Sequence, residues 1–271
     1  MFYISVNAGG VSLKKIEGSE WKRLLPFLYR NKEFNMFIIG DIENTSSDSE
    51  HMEIFLDGDL DDPKGVLLRY YKFFILADSS RMDFREAAGI IKRDVRAMML
   101  TGSVYGIDKM APYLSEMCEE EDALRFAVMK EPNLVESVFE VRRATMKDAT
   151  KLLEFLCSVE EFHATEEESF MATLRDGSTR RYIIEDRSEI VATAASTSES
   201  CDMAMIIAVA TRKDHRGRGL ASAVVSRLCG DLLAEGKTPC LLYDNPDTGR
   251  IYNRLGFREI GELKALRFKK P

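Results

Sequence analysis

The chain has 271 residues, 45% hydrophobic and 31% charged, the balance of an ordinary soluble globular protein with enough apolar residues for a core and a length suited to about two domains. A net charge of −7 argues against a dedicated nucleic-acid binder, and no apolar run approaches the ~18–20 residues of a membrane span. The opening residues lack a basic stretch and a long apolar run, so no secretory signal is expected and a cytoplasmic protein is. Five cysteines without a C-x-x-C pair read as reduced, packed thiols, and three histidines far apart in sequence offer no metal-ligand spacing. No metal, nucleic acid or membrane is therefore expected; the oligomeric state is open between monomer and homodimer.

In chain order, residues 1–131 are expected to form a mixed α/β domain. A helix is predicted over 21–29, followed by an apolar segment containing Phe34, Met36, Phe37, Ile38 and Ile39, and a strand over 51–56. Residues 57–63 are rich in aspartate but lack the later glutamate of a calcium loop, and read as a hairpin turn. Strands are predicted over 66–71 and 73–77, a helix over 84–93, a strand over 97–100 and a helix over 107–117. Thr101-Gly102-Ser103 reads as an ordinary strand-to-helix turn. The domain boundary is placed near Glu131-Pro132-Asn133, because Pro132 disfavours helix at the residue before it.

Residues 132–271 begin with a strand over 138–142. Thr145 is a plausible cap for a helix carrying Leu152, Leu153, Phe155 and Leu156, and a second helix runs over 167–174. Residues 181–185 and 190–195 read as a hairpin. A continuous apolar strand, 203–210, leads into the turn Arg216-Gly217-Arg218-Gly219-Leu220-Ala221 and then a helix with apolar residues at Leu220, Val224, Leu228 and Leu232. Such a turn aims backbone N–H groups at one spot, at the positive end of a helix dipole, and its glycines let an anion approach the main chain. Its spacing fits neither G-x-x-x-x-G-K-[ST] nor G-x-G-x-x-G. Arg212, Lys213, His215, Arg216 and Arg218 make a local basic patch beside it. A strand over 240–243 follows, then an Asp244–Asp247 turn, a helix over 248–255 closed by Gly256, and strands over 257–260 and 263–268.

This order of elements, with these two motifs at this separation, resembles the GNAT superfamily of acyl-CoA-dependent N-acetyltransferases over residues 138–271. Arg216, Arg218, Gly219 and Ala221 match the family's R/Q-x-x-G-x-G/A motif, and Asn245 and Tyr252 match the Asn…Tyr pair that precedes Gly-Phe. The resemblance implies an α/β (α+β) fold with a mixed twisted central sheet flanked by helices, and an acetyl-CoA-binding domain over 132–271. It implies that the backbone of Ala208, Val209 and Thr211 pairs with the pantetheine arm. It further implies that the 216–221 turn, including Gly217 and Leu220, holds the pyrophosphate, that Asn245 contacts the cofactor, and that Tyr252 protonates the departing thiolate. The competing reading of Tyr252 is a packed tyrosine at a helix–strand contact. The expected activity is transfer of an acetyl group from acetyl-CoA to an amine of a small molecule or protein. A two-domain acyl or aminoacyl transferase and a non-catalytic CoA-binding sensor are the alternatives.

The expected strand 203–210 carries no carboxylate, so the general base is left open among Asp202, Glu185, Glu160, Glu161, Glu166 and a water relay. Residues 1–131 echo the same order without the phosphate turn or the Asn…Tyr pair. They are expected to be a degenerate GNAT-like copy that shapes the acceptor pocket, making two similar domains in tandem.

Overall fold

The computed structural model describes residues 13–159, 167–176 and 179–269; Glu160, Glu161 and Glu166 lie outside them. The chain divides into two compact units, Met1–Ala123 with Glu262–Pro271, and Leu124–Gly261. Within the first unit the described elements are β1 (Leu13–Ile16), α1 (Leu25–Leu28), α2 (Met36–Asn44), β2 (Met52–Asp59), β3 (Asp62–Tyr70), β4 (Phe73–Ala77), α3 (Phe84–Arg93), β5 (Met99–Ser103) and α4 (Val104–Leu114). Strand β6 (Cys118–Met129) leads into the second unit, which holds β7 (Val141–Arg143), α5 (Ala149–Cys157), α6 (Glu167–Asp176), β8 (Arg181–Asp186), β9 (Glu189–Thr197), β10 (Met203–Thr211), α7 (Leu220–Ala234), β11 (Thr238–Tyr243) and α8 (Pro246–Arg254). Strand β12 (Phe257–Phe268) begins in the second unit and ends in the first.

The two units repeat one plan, as the sequence order suggested. A strand and two helices precede three strands in antiparallel succession; a helix then crosses to a parallel strand, and a further helix and strand follow. In the first unit β4 and β5 are parallel, with Phe73 opposite Met99; in the second β10 and β11 are parallel, with Met203 opposite Thr238. The strand beside β5 is the end of β12, and the strand beside β11 is the second half of β6. The first unit's sheet is thus completed by the last strand of the chain, and the second unit's by the strand with which that unit begins.

Several elements differ from the sequence expectation. The helix expected over 21–29 is mostly 3-10, Gly18–Leu24 and Tyr29–Asn31, with α1 as one turn between, where Pro26 stands in the first turn. Thr101 to Ser103 is strand rather than turn; Ser103 ends β5 and caps α4, its Oγ accepting from the Gly106 amide at 2.9 Å. Strand β6 was not foreseen, because its first residues are acidic and exposed. Those acids pair with the last strand, Glu121 with Lys264 at 2.5 Å and Asp122 with Arg267 at 2.7 Å. The two strands expected over 257–268 are one, β12.

In the second unit α7 packs on one face of the sheet, and Leu220, Val224, Leu228 and Leu232 are all at most 3% exposed, with Tyr182, Ile184, Val191 and Leu241 in the same cluster. On the other face α5 and α6 bury Leu152, Phe155 and Phe170 against Ile183 and Ile190. The entry to α5 is fixed by Asp148, which is 7% exposed, accepts from Arg142 at 2.6 Å and from the Thr145 amide at 2.7 Å, and closes a capping box with Thr145. Arg142, and after it Thr145, holds this carboxyl well below the usual carboxylate range against the opposing effect of burial. Asp148→Asn is expected to cost about 1–2 kcal/mol at pH 7. A carboxyl lowered in the folded state contributes stability above its unfolded pKa, about 4, and loses it as pH falls towards the folded value. Urea melts should therefore show a gap between wild type and variant at pH 7 that narrows towards pH 3.

Candidate functional site

Strands β10 and β11 separate partway along. They pair from Met203 opposite Thr238 to Ile206 opposite Leu241. Leu242 and Tyr243 continue to pair with Phe126 and Arg125 of β6, but the β10 pairing ends. On the other side of β10, the register with β9 slips between Ile207 and Ala210, and Ala208 adopts φ 50°. A bulge leaves its extra residue out of the ladder. The half-buried residues Ile207, Ala208 and Val209 thus stand where β10 has parted from β11. Thr211 lies beyond the bulge opposite Ala192, and its carbonyl already accepts from Arg216 Nε at 3.2 Å.

Strand β10 leads through a 3-10 turn, Lys213–His215, to the glycine turn. Gly217 and Gly219 have φ 79° and 81°, and a Cβ on either would meet nothing within 4 Å. Gly219 is the N-cap of α7 and supplies no side-chain cap. The first helical bond runs from the Ala223 amide to the Gly219 carbonyl at 3.0 Å, so the amides of Leu220, Ala221 and Ser222 precede the helical ladder. A concave turn of left-handed glycines, open in front and ending on helix amides, fits an anionic phosphate. Arg216 and Arg218 are exposed at its mouth. The loop is held in place by His215, 7% exposed, whose Nδ1 is 2.8 Å from Asp214 and Nε2 3.1 Å from Asp186.

The corresponding helix of the first unit is closed to an anion. Asp83 caps α3, accepting from the Glu86 amide at 3.0 Å, and Asp57 accepts from the Asp83 amide at 2.6 Å. Two carboxylates of the protein itself thus take up amides at the N-terminal end of that helix, and their charge repels an anion.

Asn245 caps α8, its Oδ1 accepting from the Asp247 amide at 2.8 Å. Tyr252 is 6% exposed, with the Tyr243 and Phe257 rings 5.7 and 5.9 Å away. Burial, reinforced by neighbouring Cys229 and Tyr243, pushes its hydroxyl up to about 12. Tyr252 also lines a cavity of about 310 Å³ with Arg125, Tyr243, Arg250, Asn253 and Glu259. There the Tyr243 hydroxyl donates to Glu259, which also pairs with Arg125 at 3.2 Å. Sequence reasoning missed this polar cluster, since Arg125 and Glu259 lie on strands whose pairing is non-local. Of the described base candidates, Glu185 is bound by Arg142 at 2.6 Å, and Asp202 lies before β10 with its carbonyl accepting from the Thr238 amide at 2.8 Å. Asp202 stands five residues before Ile207, about 16 Å of extended chain from the bulge.

Among the described residues no helix is long and apolar enough to cross a membrane, and no group of three His, Cys, Asp or Glu side chains could hold a metal. The model of the GNAT acetyltransferase family matches residues 109–266. No curated protein matches the chain. Solved structures do. A GCN5-related N-acetyltransferase-like protein from Streptococcus suis is 17% identical with a TM-score of 0.61, covering 94% of this chain and 100% of its own. A Drosophila protein is 12% identical with a TM-score of 0.67, covering 96% and 99%. A tandem GNAT protein from the clavulanic acid biosynthesis pathway is 12% identical with a TM-score of 0.58, covering 94% and 98%. At these identities the structures show a shared fold, including the tandem arrangement. The family match covers more than half of the chain, which belongs to the GNAT acetyltransferase family.

Proposed function

We propose that this GNAT family member binds acetyl-CoA in its second unit and transfers the acetyl group to an amine of a small molecule or protein. The observation that most supports this is one continuous run of geometry: β10 parts from β11, bulges at Ala208, and leads to an open glycine turn on the N-terminus of α7. A pantetheine arm is an extended chain with two amides, and it would add to β10 at Ala208, Val209 and Thr211 as a short strand does. The pyrophosphate would lie against the amides of Gly217, Arg218, Gly219, Leu220 and Ala221, beside the charge of Arg216. Asn245 would contact the cofactor, with its Oδ1 committed to the α8 cap. Among the described residues the first unit offers no open glycine turn at its matching helix, which supports reading residues 1–131 as a degenerate copy and 132–271 as the active one.

In the reaction a neutral amine attacks the thioester carbonyl carbon, the C–N bond forms, the nitrogen gives its now surplus proton to water, and the C–S bond breaks with its electron pair leaving on sulfur. An N–H near Val209 would stabilise the carbonyl oxygen. The Tyr252 hydroxyl, protonated throughout the neutral range, would donate to the departing sulfur. An alkylamine has a pKa near ~10.4 and must lose a proton before attack. The engagement of Glu185 and the position of Asp202 favour water as the path for that proton.

Thiol release from acetyl-CoA over a panel of amines tests the reading. CoA binding without release over the whole panel would leave a sensor or interaction protein, and charged tRNA serving as donor where acetyl-CoA fails would make it an aminoacyl transferase. CoA affinity, measured by calorimetry, should weaken as ionic strength rises, because Arg216 and Arg218 are exposed and the screening length contracts from about 10 Å at 0.1 M to about 3 Å at 1 M. An affinity independent of salt would reduce the basic patch to a solvated loop.

A further inference from the structure

Arg181, the first residue of β8, is 5% exposed, yet its Nε and Nη1 have no hydrogen-bond partner among the described residues. The other arginines in comparable settings are satisfied. Arg69, 4% exposed, is bound by Glu53 at 2.6 Å and by the Tyr71 carbonyl at 2.8 Å. Neighbouring Arg180 is held by Glu199 at 2.6 Å and Glu235 at 2.5 Å. At Arg181 the guanidinium carbon lies 5.3 Å from the centre of the Phe170 ring, and burial alone pulls its pKa down to about 10. A buried cation with unmet donors strongly opposes folding. An anion brought to it would gain charge-assisted bonds in a low-dielectric setting, and the planar fork suits a carboxylate.

The register places this group relative to the opening of β10. Arg181 stands opposite Ala195 on β9, and Ala195 stands opposite Ile207 on β10, where the bulge begins. Residues directly opposite across strands share a face, so Arg181 and Ile207 present side chains to the same side of the sheet. That side is the one α5 and α6 cover, since Ile183, two residues along β8, packs with Phe170. Two strand spacings, about 10 Å, separate the backbones at Arg181 and Ile207.

We infer that Arg181 binds a carboxylate on the amine acceptor, so that the substrate is an amino acid or another amine carrying a carboxylate within several ångströms of its nitrogen. The inference rests on the acyl-transfer reading for where the amine must sit, at the bulge, but the anion site stands on Arg181 itself. A carboxylate could also arrive on the acyl group of the donor. The lateral offset along the sheet, two strands away from the β10 edge that would carry the pantetheine, favours the acceptor.

The test measures binding, so it does not depend on turnover. Calorimetry on the full chain, with CoA present, compares each of the common amino acids with the amine left by removing its carboxyl, and separately compares succinyl-CoA with acetyl-CoA. At least one amino acid should bind about 10-fold or more tightly than its amine, and this gap should vanish in Arg181→Met and shrink in Arg181→Lys, which keeps the charge but loses the fork. The ligand-free Arg181→Met protein should also melt higher than wild type, because an unpaired buried cation has been removed. A merely structural arginine would give the opposite shift. A gap confined to the succinyl-CoA comparison and lost in Arg181→Met would place the carboxylate on the donor and overturn the acceptor assignment. Absence of any gap, or a gap that survives both variants, would overturn the site. A protein that shows the Arg181-dependent gap yet releases no thiol keeps the anion site at Arg181 and sinks the acyl-transfer reading, and with it the acceptor assignment; turnover without the gap keeps that reading and sinks the site.

Discussion

Tyr252→Phe is expected to lower kcat by about 100- to 10,000-fold while CoA affinity changes little. The hydroxyl is called on only as the C–S bond breaks, and an interaction made only in the transition state lowers kcat without weakening ground-state binding. The ring, which packs on Tyr243 and Phe257, is kept, so the fold should survive. With its pKa pushed up to about 12, the hydroxyl is a donor at every pH at which the protein is handled, and the rate profile should show no limb from it below about pH 11. Full proton transfer to a thiolate of ordinary pKa, near 8.5, would be uphill by roughly 5 kcal/mol. The expected role is therefore a hydrogen bond that strengthens as charge develops on sulfur, with solvent completing the protonation. Steady-state kinetics and calorimetry on the same variant decide the matter. Unchanged turnover would remove Tyr252 from the chemistry, and a joint fall of turnover, affinity and melting temperature would make it a core residue.

What was legible beforehand was local. The 216–221 turn, the α7 stripe from Leu220 to Leu232 and the turn over 244–247 are all written in short spacings, because a helix period or a glycine signature needs only a few neighbouring residues. The hairpin of β8 and β9 was legible for the same reason, its turn formed by Arg187 and Ser188 at φ 49° and 70°. The failures were non-local. Acidic β6 looks like loop until Lys264 and Arg267 are placed beside it, and the contribution of β12 to the first unit cannot be inferred from its own pattern. The bulge at Ala208 leaves no trace in an apolar run, since it is a slip of register against β9 and not a change of residue type. Arg181 was hidden inside an expected strand, because an arginine beginning a strand usually reaches solvent, and only the packing of Phe170 reveals that it does not.

The glycine turn offers the sharpest separation of binding from folding. Gly219 and Gly236 both hold left-handed backbone, φ 81° and 78°, at opposite ends of α7, and at neither would a Cβ meet another atom of the protein within 4 Å. Alanine at either site therefore carries nearly the same conformational penalty, about 1–2 kcal/mol, and no clash within the fold. Both variants should melt lower than wild type by similar amounts. Only Gly219→Ala adds a methyl where the proposed pyrophosphate meets the backbone, so it alone should weaken CoA binding, by about 1–3 kcal/mol or roughly 5- to 150-fold. Gly219→Val should lose more, since a β-branched residue tolerates positive φ still less and extends further into the same space. The comparison removes the usual ambiguity of a destabilised variant, because Gly236→Ala reports what the strain alone does. If calorimetry finds CoA affinity unchanged in folded Gly219→Ala and Gly219→Val, or equally reduced in Gly236→Ala, the phosphate does not lie on this turn.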